Sequence, residues 1–167
     1  MNTAKLRAVT ALTLSLMASL ASAKPFELPD SKPIVTITLP DAWDPEEIPK
    51  GVQANSPDTG IYVSFELGET KNTDKVVLEG VKFLAESGVK IDPDSEKRGE
   101  GKVNGIDMIT IDWTGVYDGK VAKVSLSIAI LSPTKIGFLT YWGSPAAEKK
   151  YGAQLDSILK SIQPLGQ

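Results

Sequence analysis

The 167-residue chain contains no cysteine and no histidine. That excludes a Ser-His-Asp triad, a thiolate nucleophile, the HExxH zinc motif and the ordinary zinc, copper and haem ligand sets. The side chain that titrates nearest neutral pH is missing with them, so any acid–base chemistry would fall to carboxylates, lysine or tyrosine. No disulfide can form, and stability has to come from the core alone. There is no excess of basic charge either: 18 Lys and Arg stand against 21 Asp and Glu, for a net charge of −3. A mildly acidic chain argues against nucleic acid or an anionic membrane as its main partner.

Long apolar runs are scarce, and the one that exists lies at the N-terminus. Lys5 and Arg7 lead into the apolar and small residues Ala8 to Leu20, and Ala21-Ser22-Ala23 completes an A-x-A cleavage pattern. Residues 1–23 are therefore expected to be a secretory signal peptide cleaved after Ala23. The run is too short to span a bilayer comfortably and is followed by polar chain. With no cysteine at the junction, a lipid anchor is excluded. The processed chain, Lys24 to Gln167, would hold 144 residues with net charge −5 and no membrane span. That is the size of one domain with a substantial core. A bacterial periplasm is the expected location.

Residues 24–33 carry Pro25, Pro29 and Pro33 and read as an extended lead-in to a single α+β domain over 34–167. Val35, Ile37 and Leu39 alternate with threonines, as do Ile61, Val63, Phe65 and Leu67 with polar residues, which predicts two half-buried strands. Three prolines between Pro40 and Pro49 rule out a long helix there, and residues 51–59 read as a loop, with a short strand at its start left open. A helix is expected from Thr73 or Asp74 to Gly88, with Val77, Leu78, Val81, Leu84 and Ala85 buried. Asn104-Gly105 and Asp118-Gly119 are two-residue hairpin signals. They join a weak strand over 96–103 to strands over 106–117 and 121–131. A last strand, Ile136 to Trp142, is apolar on both faces, as a central strand should be. A second helix opens at Ser144-Pro145 and buries Tyr151, Leu155, Ile158, Leu159 and Ile162. The result is an antiparallel meander of about six strands flanked by two main helices.

The order of these elements carries a resemblance. An early strand ends in Leu39, Pro40 and Trp43; after the meander comes a W-G-S-P-x-x-E helix entry (Trp142 to Glu148) and an L-x-x-I-L-x-S-I end (Leu155 to Ile162). Over roughly Ile34 to Leu165 the chain resembles the PsbP-like fold, an α/β/α-type sandwich shared by photosystem II extrinsic subunits, Mog-type proteins and bacterial DcrB-like secreted proteins. The DcrB-like branch fits best. The resemblance implies a non-catalytic accessory or binding protein, and no functional residue carries over from it.

Chemistry-bearing clusters are few. Asp92, Asp94 and Glu96 crowd into five residues, but Lys97 and Val103 stand where a calcium loop needs Gly and Glu, so this reads as a solvated acidic turn. Gly99, Gly101 and Gly105 belong to a hairpin approach and not to a dinucleotide loop. Asp107 and Asp112 lie on opposite faces of one strand, and Asp112 is expected to cap a helix or pair with Lys123. The aromatics Trp43, Trp113, Trp142, Tyr117 and Tyr141 are expected to fill seams between sheet and helices. No catalytic, cofactor or metal residue is assigned. An interaction surface is placed on the irregular Pro40–Asp58 segment, at Trp43, Asp44, Glu46 and Glu47, with Tyr62 beside them. The expected partner is another envelope protein or a small ligand. Two alternatives stay open: a small carboxylate-dependent hydrolase, and a carrier of a small apolar ligand, which needs a cavity of roughly 300 Å³ or more.

Overall fold

A computed structural model of the chain describes residues 22–166. The expected signal peptide, apart from Ser22 and Ala23, lies outside these residues. Two sheets and two helices make up the fold. β1 (Ala23–Leu28) pairs antiparallel with β2 (Val35–Pro40), and β11 (Gln163–Pro164) adds to the other edge of β2. The main sheet holds β3 (Glu46–Ile48), β4 (Gly51–Asn55), β5 (Ile61–Glu69), β6 (Lys90–Ile91), β7 (Lys97–Val103), β8 (Ile106–Tyr117), β9 (Lys120–Ile130) and β10 (Lys135–Gly143). Its order is β3-β4-β5-β10-β9-β8, with β6 and β7 sharing the far edge of β8. Helix α1 (Thr73–Glu86) follows β5, and α2 (Pro145–Lys160) follows β10.

All six expected strands form, five of them in the main sheet and the sixth, β2, in the small one. Both hairpin turns carry paired positive φ values, 50° and 81° at Asn104-Gly105 and 49° and 71° at Asp118-Gly119, as tight turns between twisted strands require. Five short strands are additional. The lead-in is extended, and its first part is hydrogen-bonded into β1. The segment 51–59, read as mostly loop, opens with β4, which pairs with β3 on one side and β5 on the other. These strands run for two to six residues, too short for an alternating pattern to stand out from Pro, Gly and charge.

Each face of the main sheet has its own core. On one face the small sheet and α2 press Val35, Ile37, Leu39, Trp43, Tyr151, Ile158 and Ile162 onto Val63, Phe65, Met108 and Leu139. On the other, α1 lays Leu84, Val76, Val77 and Val81 over Trp113, Leu126, Phe138 and Trp142. β10 lies between β5 and β9 and contributes to both cores, which explains why it is apolar on both faces.

The helices depart from expectation in rotation and capping. In α1 the stripe facing the sheet runs through Val76, Gly80 and Leu84, so Leu78 (70% exposed) and Ala85 point outward. A Cβ on Gly80 would lie 2.7 Å from Phe138 Cζ, so glycine here lets the helix approach the sheet. A 3-10 turn, Thr70–Asn72, leads into α1, and Thr73 is its first helical residue, its hydroxyl donating to the Thr70 carbonyl at 2.7 Å. Neither Thr73 nor Asp74 is the cap. At the other end Gly88 (φ 83°) closes a Schellman motif: its N–H donates to Ala85 O and that of Val89 to Leu84 O. In α2, Ser144 caps as expected, accepting from the Ala147 N–H at 3.2 Å. Leu159 is partly exposed at 38%, because it faces a cleft and not the core.

Candidate functional site

The five residues expected to share one surface are divided by the main sheet. Trp43 is fully buried on the α2 side, its indole N–H donating to Gln154 Oε1 at 2.6 Å and its ring meeting Tyr151 edge-on at 5.7 Å. It anchors α2 and offers nothing to a partner. Asp44 is exposed in the left-handed region, at the end of the short 3-10 turn that carries Trp43. Glu46 and Glu47 are exposed on β3, where Glu46 accepts from Gln53 Nε2 at 3.1 Å and Glu47 pairs with Lys24 at 3.5 Å. Tyr62 belongs to the α1 side. It stacks on Trp142 at 4.0 Å, and its hydroxyl donates to Gln53 Oε1 at 3.0 Å. Gln53 thus links Glu46 and Tyr62, and Trp43 is not part of that group. Burial pushes the Tyr62 hydroxyl above its ordinary pKa.

Asp112 is exposed and sits opposite Lys97 on β7 and Ser125 on β9, so it caps neither helix. Its expected partner, Lys123, instead reaches Glu148 of α2 at 2.5 Å. The acidic turn is occupied with itself: the Asp92 carboxylate accepts from the Asp94 N–H at 3.1 Å, and Arg98 holds Glu96 at 2.8 Å. Among the described residues no group of three or more carboxylates could hold a metal ion.

The concavities lie elsewhere. On the α2 side a cleft of about 450 Å³ opens between α2 and the face of β7 to β10. Met108, Leu139, Leu155, Ile158 and Leu159 make it apolar, and Thr110, Ser125 and Ser127 set a row of hydroxyls along its floor. Its breadth comes from glycine. Gly99 and Gly101 pair with Thr110 and Met108 on the cleft face, and a Cβ at Gly101 would meet nothing within 4 Å. One end is polar. The Tyr141 hydroxyl donates to Glu148 Oε1 at 2.9 Å while Lys123 holds the other oxygen. Burial, reinforced by the Glu148 carboxylate, drives the Tyr141 pKa far above the usual phenol range, so it stays a hydrogen-bond donor at any physiological pH. The signal in the sequence was the G-x-G of β7, which stands opposite Thr110 and Met108 and is legible only once the register of β7 and β8 is known.

On the α1 side a longer groove of about 980 Å³ runs between β1, the β3–β4 turn and α1. Glu47, Ile48, Pro49 and Lys50 form one wall, so the Pro40–Asp58 segment does border a concavity. Glu66 and Glu79 both line it, but Glu79 is largely exposed and pairs with Lys75 at 3.7 Å. Glu66 and Glu69 are its half-buried carboxyls, and Glu69 is held by Lys71 at 2.9 Å and Lys135 at 3.8 Å, so the two do not make a matched acid and base.

These layers define an α+β protein in which a mostly antiparallel sheet is covered by two helices. The particular fold is the PsbP-like one. The chain superimposes on the solution structure of cyanobacterial PsbP (CyanoP) from Synechocystis sp. PCC 6803 with a TM-score of 0.58 at 10% identity, over 89% of this chain and 96% of that one. It is similar also to LpqN of Mycobacterium tuberculosis, a protein involved in cell envelope biogenesis, with a TM-score of 0.54 at 10% identity over 86% and 92% of the two chains. Neither the protein-family models nor the curated proteins match the chain. Among the described residues no helix is long and apolar enough to cross a membrane.

Proposed function

We propose that this chain is an exported, non-catalytic binding or accessory protein of the bacterial cell envelope, of the DcrB-like secreted kind, whose cleft beside α2 takes a small apolar or amphiphilic molecule. The observation that carries the reading is the cleft itself: about 450 Å³, apolar walls, and one end closed by the Tyr141–Glu148–Lys123 group. Binding sites of this kind are concave, mostly apolar and oriented by a few polar groups. With Glu148 already held by a hydroxyl and an ammonium, the polar end suits a neutral hydrogen-bonding group better than an ion. The signal-like residues 1–23 and the fold shared with an envelope protein support the location.

The test uses the full chain expressed in a bacterium. Native mass spectrometry of the periplasmic fraction is expected to find the processed chain beginning at Lys24. In vitro, the neutral fluorophore N-phenyl-1-naphthylamine is expected to bind saturably. Gly101→Leu should abolish that binding without loss of stability, because the new side chain stands in open space over the cleft. Retention of the full chain in the cytoplasm would refute the location. Equal dye binding by Gly101→Leu would refute the site.

A further inference from the structure

The polar end of the α2 cleft is assembled from three elements, and its charges cancel. Tyr141 reaches along its own strand: a Cβ on Gly143 would collide with the Tyr141 hydroxyl, so the glycine leaves the room that the phenol occupies. Lys123 of β9 stands in register with Gly143, and Glu148 comes down from the first turn of α2. There the Glu148 carboxylate accepts from the Tyr141 hydroxyl at 2.9 Å through one oxygen and meets the Lys123 ammonium through the other. Tyr141 and Glu148 line the cleft, whereas Lys123 does not, and its side chain is 61% exposed. The other charges around the cleft are offset or turned away. Lys102 pairs with Asp107 at 2.6 Å, Lys97 stands opposite Asp112, and Glu100 lies on the other face of β7, in register with Ile109 of the α1 core.

The Tyr141 proton is committed to Glu148, which leaves the phenol oxygen as an acceptor. A head group that donates, such as a hydroxyl, fits it. A carboxylate or an ammonium would leave water for groups whose own charges are already met, and would recover little of the hydration it gives up. Farther along the cleft, Met108, Leu155 and Leu159 supply apolar wall. From Glu148 to Leu159 the helix advances roughly 16 Å at about 1.5 Å per residue, the reach of a medium-length alkyl chain with its head. We infer, on the footing that the cleft is the binding site proposed above, that Lys123 is its specificity-determining residue. By cancelling Glu148 from outside the cleft, Lys123 selects a single-chain amphiphile with an uncharged, hydrogen-bond-donating head. The head sits at Tyr141, and the tail lies along Leu155 and Leu159 toward Met108.

The test is displacement of N-phenyl-1-naphthylamine by three probes that share one tail: n-octanol, octanoate and n-octylammonium, each below its micellar concentration. On the parent protein n-octanol is expected to displace the dye at a concentration about tenfold or more below either ion, roughly the factor that a charged hydrogen bond is worth. Lys123→Met leaves Glu148 uncancelled, so n-octylammonium should gain about tenfold relative to n-octanol and become the best competitor. Lys123→Arg should keep the parent's order. Glu148→Gln leaves Lys123 uncancelled and should move the preference to octanoate instead. A Lys123 that only supports the fold would weaken all three probes alike and leave their order unchanged. Absence of dye binding by the parent protein would refute the cleft and the charge selection together. Dye binding with one and the same order of probes in the parent, folded Lys123→Met and folded Glu148→Gln, or with no displacement by n-octanol, would overturn the charge selection alone.

Discussion

Gly80→Ala tests the packing that sets the height of α1 above the sheet. By helix propensity alone the substitution should stabilise the protein by about 1 kcal/mol, since glycine in a helix interior is that much worse than alanine. Packing opposes it. The added Cβ would sit 2.7 and 2.8 Å from two atoms of the Phe138 ring and 3.2 Å from Leu126 Cδ1. Phe138 is 5% exposed and packed into the α1-side core, so its ring is held by neighbours except where it borders the groove. Overpacking of this kind costs about 1–3 kcal/mol. The net expectation is a destabilisation of up to about 2 kcal/mol, a fall in melting temperature of up to roughly 8 °C for a domain of this size. Far-UV circular dichroism through thermal and urea unfolding measures it. In a Phe138→Leu background the obstructing ring is gone, and Gly80→Ala should become neutral or stabilising, so the pair should show strong non-additivity. A melting temperature raised by Gly80→Ala in the otherwise unchanged protein would refute the argument that close approach is why glycine stands here.

Three further outcomes are expected. Trp43→Phe retains the ring packing but loses the indole donor to Gln154 and leaves a small void, so it should cost about 1–3 kcal/mol by urea unfolding; a change within experimental error would mean that Trp43 is not the anchor of α2. Asp58 is held far below the usual carboxylate range by the Lys150 ammonium, with help from the Ser56 hydroxyl and the Gly60 N–H. Because its folded pKa is depressed, its contribution is fully present above the unfolded value near 3.9 and is lost as pH falls through the folded one. Asp58→Asn should therefore be less stable than the parent at pH 7, with the gap narrowing below about pH 4; a gap independent of pH would contradict the assignment. Leu159→Glu changes a side chain that faces the cleft and is 38% exposed, so stability should move by about 0.5 kcal/mol or less while N-phenyl-1-naphthylamine binding drops severalfold. Undiminished dye binding would place the fluorophore elsewhere.

Periodicity told most where an element is long and half-buried. β8, β9 and β10 run for nine to twelve residues, and their alternation assigned faces that the two cores reproduce: Trp113, Leu126 and Phe138 on one side, Met108 and Leu139 on the other. Turn chemistry was equally legible, since few residues other than Asn, Asp and Gly accept consecutive positive φ values. What escaped was decided at long range. Trp43 sits inside a proline-rich stretch and was expected both to fill a seam and to mark a surface; its partner Gln154 is 111 positions away, and the docking of α2 decides for the seam. The same docking turns Leu159 from an apparent core residue into a cleft wall. Leu78 was misassigned for a different reason. Glycine has no hydropathy to mark a buried position, so Gly80 left the helix stripe underdetermined by one step of rotation.

Both concavities follow from one mismatch of dimensions. Seven strand positions at about 4.8 Å make a sheet roughly 30 Å wide, whereas a helix covers only about 10 Å of it. A single helix per face leaves the sheet partly bare. On the α2 side the small sheet fills one flank, covering Val52, Ala54 and Phe65 with Ile37, Leu39 and Trp43, and the flank over β7, β8 and β9 stays open as the cleft. On the α1 side the described residues supply α1 as the main cover, and the gap between it, the β3–β4 turn and the edge of the small sheet at β1 becomes the groove. The residues at each gap fit that origin. Thr110, Ser125 and Ser127 stand on the cleft floor in place of large apolar side chains, and the glycines of β7 deepen the recess further. The α2 cleft is thus a consequence of geometry that an apolar ligand can exploit.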